Sequence, residues 1–200
     1  MARENAGPKT TFGYLSAVES AKHGFFGGYL LITPAGRPLE FHCTAPVRPN
    51  RAQQILYGPT LRPYLLGEQI GGALVSEATI TPSLILTDQE AVLGLQSQID
   101  VLVVYVESAL QAEQVESPAG FDASIEPSVS APTPAQHFCF GSFACRIAGG
   151  YEGERETVVK LLEELQVRVD VLEPFERIYQ AIQEARRIGR ERPETQGRAA

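Results

Sequence analysis

Four polar side chains that could meet a ligand fall within one short stretch of this 200-residue chain: Tyr29, Glu40, His42 and Thr44. Leu39, Phe41, Cys43 and Ala45 alternate with Glu40, His42 and Thr44, so a strand here carries a carboxylate, an imidazole and a hydroxyl on one face and apolar groups on the other. Tyr29 belongs to the preceding apolar run, Tyr29 to Thr33, and Pro34-Ala35-Gly36-Arg37 between them supplies a fixed φ followed by a permissive one. The whole stretch from Phe25 to Val47 is therefore read as a hairpin around which the chain is organised. Setting Thr33 opposite Pro38 puts Glu40 beside Leu31 and His42 beside Tyr29; a slip of one residue would exchange the faces. The polar face is a candidate ligand or partner surface, and equally a half-solvated sheet face.

Asp88 is the acid best placed for metal chemistry. It follows the apolar run Leu84-Ile85-Leu86 and opens a predicted helix, and Thr87-Asp88-Gln89-Glu90 has the pattern of a capping box. A carboxylate in that place could ligate Mg or Mn, with Glu19 or Glu40 as helpers. A site for two hard cations needs several converging carboxylates, however. The plainer role for Asp88 is to complement the positive end of the helix, worth roughly 0.3 to 1 kcal/mol.

The remaining motifs lack a necessary part. His42-Cys43 and His137-x-Cys139 with Cys145 contain zinc-type ligands. Adjacent residues on a strand point to opposite faces, there is no CxxC pair, and a tight hairpin at Gly141-Ser142 would set Cys145 opposite Phe138, away from His137 and Cys139. Cysteines filling small gaps account for the pattern better than a metal does. The glycine pairs complete neither a GxxxxGK[ST] nor a GxGxxG loop. At Gly27-Gly28 they read as a place for a bend or bulge.

The elements that position these residues follow from periodicity. A short strand within Phe12 to Glu19, turned by Lys22-His23-Gly24, precedes the hairpin and gives an antiparallel three-strand meander. Asn50 and Gln53 form a capping box for a helix ending at Gly58, and a second apolar helical segment starts at Pro59, with breaks expected at Pro63 and Gly71-Gly72. Leu84 to Leu86 and Val101 to Val106 are buried strands joined through a helix and hence parallel. After an acidic Pro/Ser-rich stretch at 108–136, read as a linker or long loop, come the Gly141-Ser142 hairpin and an amphipathic helix near Glu154 to Leu165. A strand through Val167, Val169 and Val171 follows, then a last helix lined by Phe175, Ile178, Tyr179 and Ile182 and ended by Gly189.

The expected architecture is thus a mixed α/β or α+β fold: a unit over 1–107 with the meander followed by α-β-α-β, a linker over 108–136, a hairpin-helix-strand-helix unit over 137–189, and a tail over 190–200. The order of the first unit resembles that of ribonuclease H-like folds. That resemblance implies a divergent metal-dependent hydrolase or nuclease using Asp88, with Mg or Mn as cofactor.

Composition favours another reading. A net charge of −7, with no basic segment apart from arginines near the C-terminus, makes nucleic acid an unlikely partner. Three cysteines, no apolar run long enough for a membrane span and no signal-like core in the first residues lead to the expectation of a cytoplasmic protein with reduced thiols. The leading expectation is a non-catalytic binding or regulatory protein without a cofactor, acting through a protein partner or as a homo-oligomer.

Overall fold

A computed structural model describes residues 10–109 and 136–191, with the side chains of 188–191 excepted. Residues 1–9, 110–135 and 192–200, which hold most of the expected linker and the tails, lie outside the described residues. Seven strands form one sheet in the order β3-β2-β1-β4-β5-β7-β6. They are β1 (Phe12–Ser20), β2 (Gly24–Ile32), β3 (Pro38–Cys43), β4 (Leu84–Thr87), β5 (Val103–Ser108), β6 (Gln136–Phe140) and β7 (Phe143–Ile147). The mixed sheet, with its antiparallel N-terminal meander and the parallel β1, β4 and β5, bears out the expected fold class.

The Phe25–Val47 hairpin is not the centre of the sheet. Its second strand, β3, is an edge strand, whereas β1 pairs with both β2 and β4 and is buried on both faces from Phe12 to Ala17. The hairpin register places Glu40 beside Leu31 and His42 beside Tyr29, but a bulge between Leu31 and Ile32 sets Ile32, not Thr33, opposite Pro38. Both halves of the chain share this sheet, because β7 pairs with β5 and β6 with β7. The Gly141-Ser142 loop forms as expected, with Phe140 beside Phe143 and Phe138 beside Cys145.

Alternation along the strands divides the core in two. Phe12, Tyr14, Leu84, Leu86, Val104 and Val106 face one layer of helices, α3 (Arg155–Gln166) and α4 (Glu173–Glu191). Leu15, Tyr29, Leu31, Ile85 and Val103 face the other layer, formed by the wide-turned segment Pro63–Gly71, by α2 (Gly72–Glu77), which continues it, and by a 3-10 helix, Glu90–Ser97. The first helix, α1 (Arg51–Tyr57), begins with the expected capping box: Gln53 N–H donates to Asn50 Oδ1 at 2.8 Å and Asn50 N–H to Gln53 Oε1 at 2.9 Å.

Gly27 and Gly28 serve packing rather than a bend. A Cβ on Gly27 would stand 2.2 Å from Cγ2 of Ile70, and one on Gly28 would stand 2.5 Å from Cγ2 of Ile178. One glycine on each face thus lets a helix from each layer approach β2 closely. Pro63 and Gly71-Gly72 do not break the second helical segment either. Pro63 occupies its first turn, where a missing N–H costs nothing, and Gly71-Gly72 is where the wide turns narrow to α.

Three other local expectations fail for physical reasons. Residues 167–172 form turns, not a strand: the N–H groups of Arg168 and Val169 bond back to the Leu165 carbonyl, and Leu172 N–H donates to Asp170 Oδ1 at 2.9 Å. With those donors used, no ladder can form, and the alternation records Val169 and Val171 plugging the core between two helices. The capping box at Thr87 does not form, because Gln89 caps the Glu90–Ser97 helix without a side-chain bond and Gln89 N–H is taken by Thr87 Oγ1 at 3.2 Å. Finally, α4 runs past Gly189 to Glu191.

Candidate functional site

β1 and β4 run parallel with Leu15 beside Thr87, so one further step places Ser16, in the middle of β1, beside Asp88, just past the carboxyl end of β4. Even-numbered residues of both strands face α4, which presents Tyr179 at this point. Ser16 Oγ–H donates to Asp88 Oδ1 at 2.7 Å, and the Tyr179 hydroxyl donates to Oδ2. Ser16 Oγ and Tyr179 Oη are themselves 3.1 Å apart, which closes a triangle. Gln89 Nε2 donates to the Ala17 carbonyl and fastens the start of the following turn to β1.

Ser16 is wholly buried. Burial pushes the Asp88 carboxyl above its ordinary range, against the lowering effect of the bonds from Tyr179 and Ser16. The Tyr179 hydroxyl is pushed up to about 12, first by burial and then by its bond to Asp88. A serine with no solvent access cannot meet an electrophile, so this is not a nucleophile and base pair.

The metal reading fails a test of geometry. Glu19 lies three residues beyond Ser16 and faces the other side of the sheet, where it pairs with Arg62 at 3.2 Å. Glu40 also faces that side, beside Leu31. Neither carboxylate can join Asp88, whose two oxygens already accept bonds from Ser16 and Tyr179. Among the described residues no group of three or more His, Cys, Asp or Glu side chains could hold a metal ion. The described residues do not fit an Mg or Mn centre.

The hairpin surface is altered as well. Tyr29 is fully buried, with its ring over Gly13 and its hydroxyl without a hydrogen-bond partner. Glu40 and His42 do come together, with His42 Nε2 3.0 Å from Glu40 Oε2, but Glu40 also accepts from the N–H of Thr79 at 3.0 Å and from its hydroxyl. The Thr79 hydroxyl, followed by His42, holds the Glu40 carboxyl down to about 2. Thr44 Oγ1 accepts from Gly27 N–H at 2.9 Å. The polar groups of this face tie the chain around Thr79 and the end of β3 to the sheet. His137 and Cys139 are exposed and Cys145 is buried, so they do not converge.

No family model matches the chain, and no curated protein matches it. Among solved structures it is similar to endonuclease V of Ciona intestinalis in complex with a 24mer DNA containing an inosine followed by a ribo-adenosine. That likeness has 12% identity and a TM-score of 0.40, over 78% of this chain and 77% of that one. It is also similar to Argonaute of Marinitoga piezophila in complex with a 5' OH guide RNA and target DNA, at 9% identity and a TM-score of 0.29, over 78% of this chain and 25% of that one. These solved structures are nucleic-acid complexes. Neither the expectation of a non-catalytic protein acting through protein contacts nor the expectation that nucleic acid is an unlikely partner finds support in these likenesses, and both are withdrawn. Such partial overlap assigns no chemistry to Ser16, Asp88 or Tyr179; their own geometry does.

Of the three, only Asp88 is singled out by its place in the sequence. Ser16 carries one signal, a lone hydroxyl between Leu15 and Ala17 in an otherwise apolar strand. Tyr179 carries none, since an aromatic residue on the inner stripe of an amphipathic helix reads as core. A cleft of about 740 Å³ lies elsewhere, lined by Pro63, Glu68, Glu90, Gln96 and Tyr151 among others. Among the described residues no helix is long and apolar enough to cross a membrane.

Proposed function

We propose that this chain is a nucleic-acid-binding protein of ribonuclease H-like topology in which the Asp88 position holds the fold together and does not carry a metal. The observation behind this reading is the sheet itself. Its β3-β2-β1-β4-β5 order, with β1, β4 and β5 parallel, sets Asp88 just past the carboxyl end of β4, the edge where open α/β sheets place their ligands, and bonds it there to Ser16 in the middle of β1. The warrant for nucleic acid is an analogy between folds, and the site supplies the limit on chemistry. One carboxylate, bonded by a serine and a tyrosine, leaves nothing to bridge two cations or to activate water.

The test is direct. Fluorescence anisotropy with labelled single-stranded and duplex oligonucleotides, at about 50 mM salt and then at rising salt, is expected to show binding that weakens as salt rises. With Mg²⁺ or Mn²⁺ the same oligonucleotides are expected to remain intact, for the natural chain and for Asp88→Asn alike. No binding to any oligonucleotide at the lowest salt overturns the reading. Cleavage that requires Mg²⁺ and is lost in Asp88→Asn replaces it with metal-dependent hydrolysis.

A further inference from the structure

Two arginines from different elements lie on opposite faces of the hairpin that joins β1 to β2. The Arg62 guanidinium carbon stands 5.7 Å from the centre of the Phe25 ring, and that of Arg186 stands 4.7 Å from the centre of the Phe26 ring. Successive strand residues point to opposite faces, so the neighbouring rings hold one guanidinium on each side of the same two strands. Lys22 is exposed in the turn between them. Arg48 is exposed beside the base of the turn, its Cγ 2.5 Å from where a Cβ on Gly24 would stand.

The charge at this tip runs against the rest of the molecule. Glu19 is the one acid between Glu19 and Phe26, and it is engaged by Arg62. Four basic side chains therefore surround one turn in a chain whose net charge is −7. Core packing does not account for Lys22, Arg48 and Arg62, which are all exposed, and Arg186 is half-buried over the Phe26 ring. Arg186 gives one N–H to Ser20 Oγ at 3.3 Å, and Arg62 gives one to Glu19 Oε2 at 3.2 Å. A guanidinium carries five donors, so both keep N–H groups for another acceptor. Planar groups held on aromatic rings lose little freedom on binding, which suits the oxygens of a phosphodiester.

We propose that this hairpin tip, with Lys22, Arg48, Arg62 and Arg186, is the contact for the sugar–phosphate backbone of a nucleic-acid strand. This rests on the nucleic-acid reading above and adds the surface. Contacts of this kind supply affinity and position and carry no base sequence, so the binding is expected to be independent of sequence. The nucleic-acid strand would pass the carboxyl end of β1, towards which Asp88 follows the end of β4.

The experiment is the salt dependence of oligonucleotide binding, measured for single-stranded and duplex probes of mixed sequence, with thermal unfolding of each variant as the check on folding. Arg62→Gln and Arg186→Gln are each expected to reduce the slope of log K against log salt by about 0.7 to 0.9, and Lys22→Gln with Arg48→Gln by about twice that. Arg186→Lys keeps the charge and is expected to keep the slope. Lys160→Gln, on the exposed side of α3, is also expected to keep it. If the natural chain binds and the hairpin variants, folded, bind with an unchanged slope, the surface is wrong while the nucleic-acid reading stands. If the natural chain does not bind at all, that reading falls and this inference with it. Loss of binding to anionic lipid vesicles in the arginine variants, with oligonucleotide binding unchanged, would assign the patch to a membrane surface and overturn the proposal.

Discussion

Ser16 and Asp88 bond across two central strands at 2.7 Å, because the parallel register that sets Leu15 beside Thr87 carries the next pair into contact. Tyr179 completes the group from α4, and the result couples the first strand, the middle of the chain and the last helix. Removing one donor leaves an oxygen of the half-buried Asp88 carboxylate without its partner. Ser16→Ala and Tyr179→Phe are each expected to lower stability by about 1 to 3 kcal/mol. In urea denaturation the double variant should lose less than the two single losses combined, since all three groups share one network.

Acid behaviour should show two opposed terms. Bonds from Thr79 and His42 hold the Glu40 carboxyl down to about 2, so its contribution is present above the ordinary value of 4.5 and is lost as pH falls towards 2. Asp88 is raised by burial, so the folded protein binds its proton more tightly than the unfolded chain. Its contribution is full below 3.8 and is lost as pH rises through the folded value. Glu40→Gln is expected to flatten the fall in stability between pH 4.5 and 2. Asp88→Asn is expected to gain on the natural chain as pH rises above 3.8. Unfolding midpoints between pH 2 and 7 check both.

Gly67 marks where the Pro63–Gly71 segment touches the Glu90–Ser97 helix. A Cβ there would stand 2.8 Å from Leu95 N and 3.0 Å from the Gly94 carbonyl carbon, both backbone atoms that no rotamer change can move. Gly67→Ala is expected to cost about 1 to 3 kcal/mol. Gly153→Ala, where nothing stands within 4 Å of the new methyl, should be close to neutral in the same thermal unfolding measurement.

The cysteines should separate by access. Cys43 and Cys139 are exposed, while burial, with Cys139 a lesser cause, pushes the Cys145 thiol up to about 12. A thiol-reactive dye is expected to modify two groups in the native protein and the third only after unfolding. Prompt modification of all three would contradict the placement of Cys145.

What local chemistry can specify is legible in the order of the residues. Period-two alternation and turn residues gave the three-strand meander, the Glu40–Leu31 and His42–Tyr29 pairing and the Gly141-Ser142 hairpin. Unbroken apolar runs gave the parallel β4 and β5, and Asn50 with Gln53 gave a helix start. Where a local pattern had two physical causes, the sequence could not choose between them. Alternation at Val167–Val171 comes from a turn plugging the core, and Gly27-Gly28 from helices approaching both faces. That β1 is the centre, that Glu19 and Glu40 lie on the face opposite Asp88, and that Tyr29 is buried all follow from the folded packing alone. It alone brought Tyr179, 163 residues along the chain, to Ser16. The reason is that strand order and helix placement follow from packing between distant segments, and a side chain's partners across that distance leave no periodic trace near it.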